Sequence, residues 1–292
     1  MKCEFSERNY EKSLDFELST THQIFSPTQN QENTLAIDSA TISDNSDFWQ
    51  LWDPNWRTSP SIPRGIDITK DLWKWARGIP KIHFPKIRAN VFLQYKIPEY
   101  FPSHAKEYSY WQHPYFRYYI NSHQNRVLSK LENNTTQSAV VVYASPAFWT
   151  YDQLMDNCIQ RTLVSHSNFV KPSTISGHHC YTYDASGING QGFSKPEKIK
   201  TIDLKNEIDN LLEISQNLEF GITLKKLSSE IVKTVNEIDA KTNDLDEQFK
   251  VNFQKTREYF LQSSGKNTDE SNHFLNVLSF VYLADLSWVV VI

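Results

Sequence analysis

The chain has 292 residues, 39% of them hydrophobic and 13% aromatic, enough for one sizeable core with an appendage or for two modest domains. A formal net charge of -4 excludes a global basic footprint for promiscuous nucleic-acid binding. Three scattered cysteines, Cys3, Cys158 and Cys180, do not suggest a disulfide framework, and Met1 to Arg8 lacks the apolar core of a signal peptide, so a cytoplasmic protein is expected.

The first predicted element is a helix over residues 6–18, where Tyr10, Leu14 and Leu18 form an apolar stripe and Glu17 falls within its arc. A carboxylate there is either a paired rim residue or one with a task, because an unpaired buried charge is costly. Residues 19–46 are rich in Ser, Thr, Asn, Gln and Asp and read as a long flexible loop. An aromatic cluster from Phe48 to Trp56 follows, and then a short strand, Arg64 to Lys70, carrying Asp67 between two isoleucines. Positive charge concentrates next: from Arg64 to Glu99 eight basic residues face three acidic ones, a net excess of five. Within the insertion over residues 71–89, Trp73 and Trp75 alternate with Lys74 and near Arg77, as a nucleic-acid-contacting wedge or as a core cover.

The run Asn90-Val91-Phe92-Leu93-Gln94-Tyr95-Lys96 reads as a strand, and its period of two puts Gln94 and Lys96 on one face. Tyr115 to Ile120, with Arg117, is another strand candidate. Residues 121–133 read as a helix with Gln124, Val127, Leu128 and Leu131 on one side. Ala139 to Ala144 is β-branched and uncharged, the pattern of a buried strand. A short helix near Tyr151 to Cys158 precedes glycine-bearing loops, and a boundary is expected near residues 190–200. Beyond it the pattern is helical, which divides the chain into 1–196 and a 197–292 interaction or oligomerisation domain. Residues 274–292 are largely apolar, but Asp285 interrupts them and no basic residue follows, so a buried terminal helix, with its Trp288 to Ile292 end docked on a core or partner, is expected and no membrane contact. His178, His179 and Cys180, with His166 and Cys158, match no recurrent zinc spacing.

Helix, the Asp67 strand, the Gln94-x-Lys96 strand, the Gln124 helix and the 139–144 strand together resemble the αβββαβ core of the PD-(D/E)xK phosphodiesterase superfamily. The variant with Gln at the acidic position is similar to Mrr-like restriction nucleases. The sequences Phe-Leu-Gln-Tyr-Lys, Tyr-Phe-Arg, His-Gln and Val-Tyr-Ala-Ser-Pro-Ala-Phe also resemble uncharacterised bacterial proteins over residues 48 to about 185. The resemblance implies an α/β fold with a restriction-endonuclease-like core and a helical C-terminal domain. It implies a metal-dependent endonuclease acting on DNA in preference to RNA, in bacterial defence against foreign DNA. Asp67, Gln94 and Glu17 would hold Mg²⁺ or Mn²⁺, Lys96 would orient the attacking water, and Gln124 would face the site. Lys74, Arg77 and Arg117 would contact the nucleic acid, and the C-terminal helices would bind a partner or a second copy. The rival expectation is a non-catalytic subunit binding nucleic acid or a partner on the same fold, since Gln94 lacks the anionic charge of the residue it replaces.

Overall fold

In the computed structural model, residues 1–19, 23–25, 89–103, 107–184, 189–194, 196–215, 220–238, 244–264 and 269–291 are described. Asp67, Lys74 and Arg77, the strand expected at Arg64 to Lys70, the Trp73–Trp75 pair, the aromatic cluster and most of the 19–46 loop lie outside the described residues.

Helix α1 spans Glu7–Ser19, and its stripe of Tyr10, Leu14 and Leu18 is buried as expected. Strand β1 (Gln23–Phe25) follows, and β2 (Ala89–Tyr95) is buried along its whole length. Strand β3 (Glu99–Phe101), a one-turn helix α2 (Tyr108–Trp111), β4 (Tyr115–Tyr119) and α3 (Ser122–Asn134) lead to β5 (Ala139–Pro146). Helix α4 (Tyr151–Gln160) precedes β6 (Ser167–Val170), β7 (Cys180–Asp184), β8 (Asn189–Phe193) and β9 (Glu197–Lys200). Four helices come next, α5 (Leu204–Ser215), α6 (Phe220–Glu237), α7 (Asp244–Ser264) and α8 (Asp269–Ala284), and then a last strand, β10 (Ser287–Val291).

The strands form two five-stranded sheets, β1-β10-β2-β5-β6 and β3-β4-β7-β8-β9, so the chain is mixed α/β. In the first sheet β2 runs parallel to β5, with α3 in the crossover, and antiparallel to β10. Period-two alternation sorts β2 between two cores. Val91, Leu93 and Tyr95 join Tyr10 and Leu14 of α1 and Leu204, Ile208 and Leu211 of α5. Phe92 faces the other way, with Trp288, Val141 and Tyr143, onto α3, the C-terminal helices and the second sheet.

Three expectations change. The segment over residues 147–196, expected as one short helix and loops, supplies three of the ten described strands, and the strand read at Tyr115 to Ile120 belongs to the second sheet. The run over residues 274–292 is not one terminal helix: α8 stops at Ala284 and the Trp-Val-Val-Val end becomes β10. The expected division at residue 196 does not separate the folded cores, because β10 is hydrogen-bonded between β1 and β2 inside the first sheet. Among the described residues no helix is long and apolar enough to cross a membrane.

The turn that converts α8 into β10 has an identifiable cause. Asp285 adopts the left-handed conformation, with φ of 59°. The Leu286 amide then bonds back to the Val281 carbonyl at 3.1 Å, and both residues are buried. That 6→1 bond with an apolar contact is the Schellman ending of a helix. Beyond it, β-branched residues favour a strand.

Trp288 anchors the inserted strand. Its indole is fully buried, stacks on Phe92 at 6.5 Å and donates to Asn90 Oδ1 at 3.0 Å. Trp288→Ala is expected to lower unfolding free energy by about 3–5 kcal/mol, measured by urea titration, whereas an exposed Ile159→Ala stays within about 0.5 kcal/mol.

Candidate functional site

The C-terminal end of β2 meets the first turns of α1 and α3 and the α8–β10 turn. Lys96 follows the last β2 residue, and its amide bonds to the Ala144 carbonyl at 2.9 Å, extending the parallel ladder by one step. That bond fixes the backbone beneath a side chain that would otherwise be free to wander. Asn121 caps α3 by accepting from the Gln124 amide at 3.1 Å, which sets the first turn. His123 and Arg126 both bond the buried Asp246 of α7, so α3 is held on its other side too.

These anchors bring together three of the residues singled out in the sequence. Gln124 accepts from the Lys96 ammonium at 3.0 Å through Oε1 and donates to Gln94 Oε1 at 2.7 Å through Nε2. The Gln94 side chain is 2% exposed, and its own amide nitrogen donates to the Tyr95 carbonyl at 3.3 Å and to Asp285. The ammonium also lies 5.8 Å from the Tyr143 ring centroid, a weak cation–π contact.

Two carboxylates missing from the sequence reading complete the cluster. Glu7, at the start of α1, accepts from the Ile97 amide and lies within electrostatic reach of Lys96 and Asp285. Burial pushes its carboxyl up to about 7; the Lys96 charge opposes that rise, and Asp285 and Glu11 reinforce it. Burial also raises Asp285, opposed by Lys96 and the Gln94 hydrogen bond, although Asp285 keeps a solvent-exposed side. Lys96 moves the other way: burial lowers its pKa, and Glu7 and Asp285 restrain the fall. The result is a partly buried ammonium near two carboxylates, one of which, Asp285, is exposed to solvent.

Glu7 was legible as one member of a stripe. Glu7, Glu11 and Asp15 repeat every four residues on α1. Lower on that stripe, Tyr95 donates to Asp15, and Ser287 of β10 donates to Asp15 at 3.2 Å and to Glu11 at 3.5 Å. Asp285 had a different signal, an acid interrupting an apolar run. Among the described residues three non-glycine residues have positive φ, and all follow helices: Gln112, Arg161 and Asp285. Of these only Asp285 delivers a charge to Lys96.

Other sequence candidates lie elsewhere. Glu17 turns its carboxylate to the turn after α4, accepting from the Leu163 and Val164 amides at 2.7 and 3.0 Å. It sits ten residues from Glu7, or ~15 Å along the helix. Arg117 is in the second sheet, paired with Glu99 at 2.9 Å and Glu107 at 3.2 Å and flanked by the Phe101 and Tyr119 rings. Its charge is engaged inside the molecule. The place beside β2 expected for the Asp67 strand is hydrogen-bonded to β10, and β5 takes the opposite edge. His178 pairs with Glu197 at 3.4 Å, and His166 with the Thr162 carbonyl at 2.8 Å.

Among the described residues no three His, Cys, Asp or Glu side chains converge as a metal-binding group. The site offers two carboxylates and the Gln94 amide oxygen, which retains a free lone pair beside its bond from Gln124. These are hard oxygen donors of the kind that suit a hydrated Mg²⁺ or Mn²⁺ ion. Comparison of the chain with protein-family models, with curated proteins and with solved structures finds no match in any of the three.

The Glu7 environment has a pH consequence. The folded carboxyl holds its proton up to about pH 7, against an ordinary value of 4.5, so the folded state binds more protons across that interval. Stability from protonated Glu7 is therefore full below the ordinary value and lost as pH rises through the folded one. The urea midpoint of the wild type is expected to fall across this window, and Glu7→Gln is expected to flatten the slope. At Asp285, replacement by Gly removes left-handed strain and is expected to raise stability by about 1 kcal/mol in the same assay.

Proposed function

We propose that the chain is a metal-dependent phosphodiesterase that cleaves DNA in bacterial defence against foreign DNA, with its site at the end of β2. The observation that carries this reading is Lys96, held by Gln124 and set between Glu7 and Asp285 next to Gln94. The arrangement of elements supports it. Helix α1, then β1, the Gln-x-Lys strand, α3 and a parallel β5 match five of the six elements of the αβββαβ order, with β10 in the position next to the Gln-x-Lys strand. A restriction-endonuclease-like core is inferred on those grounds, with its third strand drawn from the C-terminal end of the chain.

Each side chain has a task in such a reaction. Glu7, Asp285 and the Gln94 amide oxygen would hold Mg²⁺ or Mn²⁺, which when bound supplies charge neutralisation at the phosphate and an acidified water. Lys96 presents a donor to the oxygen on which charge grows as the phosphodiester is attacked. Burial lowers its pKa, which makes the proton easier to share, and Glu7 and Asp285 restrain the fall. Gln124 accepts one hydrogen bond from Lys96, so it orients the ammonium without adding charge. Asp285 tolerates a strained backbone to reach this place, and strained residues cluster where geometry serves a reaction.

A second reading is favoured by two contacts. Arg117, an expected nucleic-acid contact, is neutralised by Glu99 and Glu107, and Gln94 spends its amide on Gln124 and Asp285. A non-catalytic subunit that binds nucleic acid or a partner would show the same fold without turnover.

Cleavage of supercoiled plasmid and single-stranded DNA, with Mg²⁺, Mn²⁺ or EDTA, separates the two. Metal-dependent cutting is expected, with Lys96→Ala and Asp285→Asn each reducing the rate about 10²-fold or more. Glu17→Gln is expected to cut normally while losing about 1 kcal/mol of stability, because its contacts are with a distant turn. Asp67→Ala tests the acid the sequence favoured. A wild type that binds DNA without cutting it would overturn catalysis and leave the binding reading.

A further inference from the structure

Five aromatic rings form a column that runs from the core towards the C-terminal end of β2. Tyr181 stacks on Tyr183 with ring centroids 5.9 Å apart, and Tyr183 stacks on Phe116 at 5.4 Å. Phe116 meets Tyr100 at 5.1 Å, and Tyr100 lies against Trp149 at 5.3 Å with the two planes 6° apart. Exposure grows along the column: Tyr181, Tyr183 and Phe116 are buried, whereas Tyr100 and Trp149 are partly exposed. Tyr183, Phe116 and Tyr100 each contact two rings of the column, and Trp149 contacts one. Trp149 is therefore its outer end.

That end lies beside the proposed site. The Lys96 amide bonds the Ala144 carbonyl of β5, and Trp149 comes shortly after β5 ends at Pro146. Cys3 Sγ donates to the Pro98 carbonyl at 3.2 Å and to the Phe148 carbonyl at 3.9 Å, so one side chain bridges the backbone after Lys96 and the backbone before Trp149. Pro98 follows Lys96 by two residues, a reach of at most ~7 Å. Tyr100 and Trp149 pack against the core that holds Tyr143, whose ring lies 5.8 Å from the Lys96 ammonium, so the column and Lys96 share one side of the first sheet. The backbone at Trp149 is also fixed. Its carbonyl accepts from the Glu4 amide at 2.9 Å, its amide donates to Gln153 Oε1 at 3.1 Å, and Thr150 caps α4. A ring set in place beforehand loses little freedom when it binds.

We propose that Trp149, backed by Tyr100, is a stacking platform for a base of single-stranded DNA next to the phosphodiester at Lys96, and that it selects single strands over duplex. The proposal rests on the phosphodiesterase reading of the Lys96 cluster. An indole with a parallel ring on one side takes a base as the next layer, and every base offers a flat face for it. Inside a duplex both faces of a base are covered by its neighbours and its edge is paired. Stacking on Trp149 then requires the base to leave the helix first, a cost that a single strand does not meet.

Fluorescence anisotropy with a labelled oligothymidine and a labelled hairpin duplex, both in EDTA so that neither is cut, tests the platform on the full chain. The wild type is expected to bind the single strand more tightly than the duplex. Trp149→Leu, which keeps apolar bulk but cannot stack, is expected to weaken single-strand binding about 10-fold and leave duplex binding unchanged. Trp149→Phe is expected to restore most of the loss, and Tyr119→Leu, at a 61% exposed ring of the second sheet, to change neither affinity. Photocrosslinking of the wild type to a 5-iodouracil oligonucleotide needs no variant and is expected to label Trp149. Equal or tighter binding of duplex by the wild type would overturn the proposal. So would a Trp149→Leu variant that binds single strands normally or weakens both ligands alike, or crosslinks confined to other residues. Trp149-dependent binding without metal-dependent cutting would sink the phosphodiesterase reading and leave the platform standing. Cutting of single strands by Trp149→Leu at the wild-type KM would do the reverse.

Discussion

The arrangement rests on the pairing of β2 with β10. A strand buried over its whole length needs its backbone groups satisfied on both edges, since an unpaired amide or carbonyl away from water costs as much as a lost hydrogen bond. The crossover through α3 supplies β5 for one edge, and the last strand of the chain supplies the other. The same insertion buries Trp288 against Phe92, sets Ser287 against Asp15 and places the α8–β10 turn at the end of β2. The acid beside Lys96 arrives as a consequence of completing a sheet.

That coupling gives the cluster its electrical character. An ammonium moved out of bulk water loses hydration, and carboxylates at α1 and the α8–β10 turn return part of what it loses. Burial raises both acids, and the Asp285 charge adds to the rise at Glu7. Gln124 contributes no charge but fixes direction, using its two ends to tie Lys96 to Gln94. The His123–Asp246–Arg126 contacts brace the same helix turn from α7, so the C-terminal helices support the cluster from a second side.

Local pattern was readable where one face of one element carried the information. The α1 stripe, β2, α3 and β5 were all expressed in short-range periodicity, and Gln94, Lys96 and Gln124 meet because strand alternation and a helix start put them on facing surfaces. Glu17 shared the stripe arc but faces a different turn, because ten residues of helix carry it far from the strand end. The second sheet escaped notice for another reason. Its strands β7, β8 and β9 are short, β8 carries two glycines, and they pair with one another and with β4 instead of with a long apolar partner. Arg117 looked available for a ligand, since its ion-pair partners lie ten and eighteen residues away in sequence.

By itself, the sequence determined the elements with strong periodicity, the α/β class and the Gln-x-Lys face, because those depend on neighbours within a few residues. Only the tertiary structure decided that the final apolar run is a strand in the central sheet and that Asp285 and Glu7 are the acids next to Lys96. Those outcomes depend on contacts between residues 7, 96 and 285, whose meeting is set by edge pairing and burial and leaves no trace in local spacing.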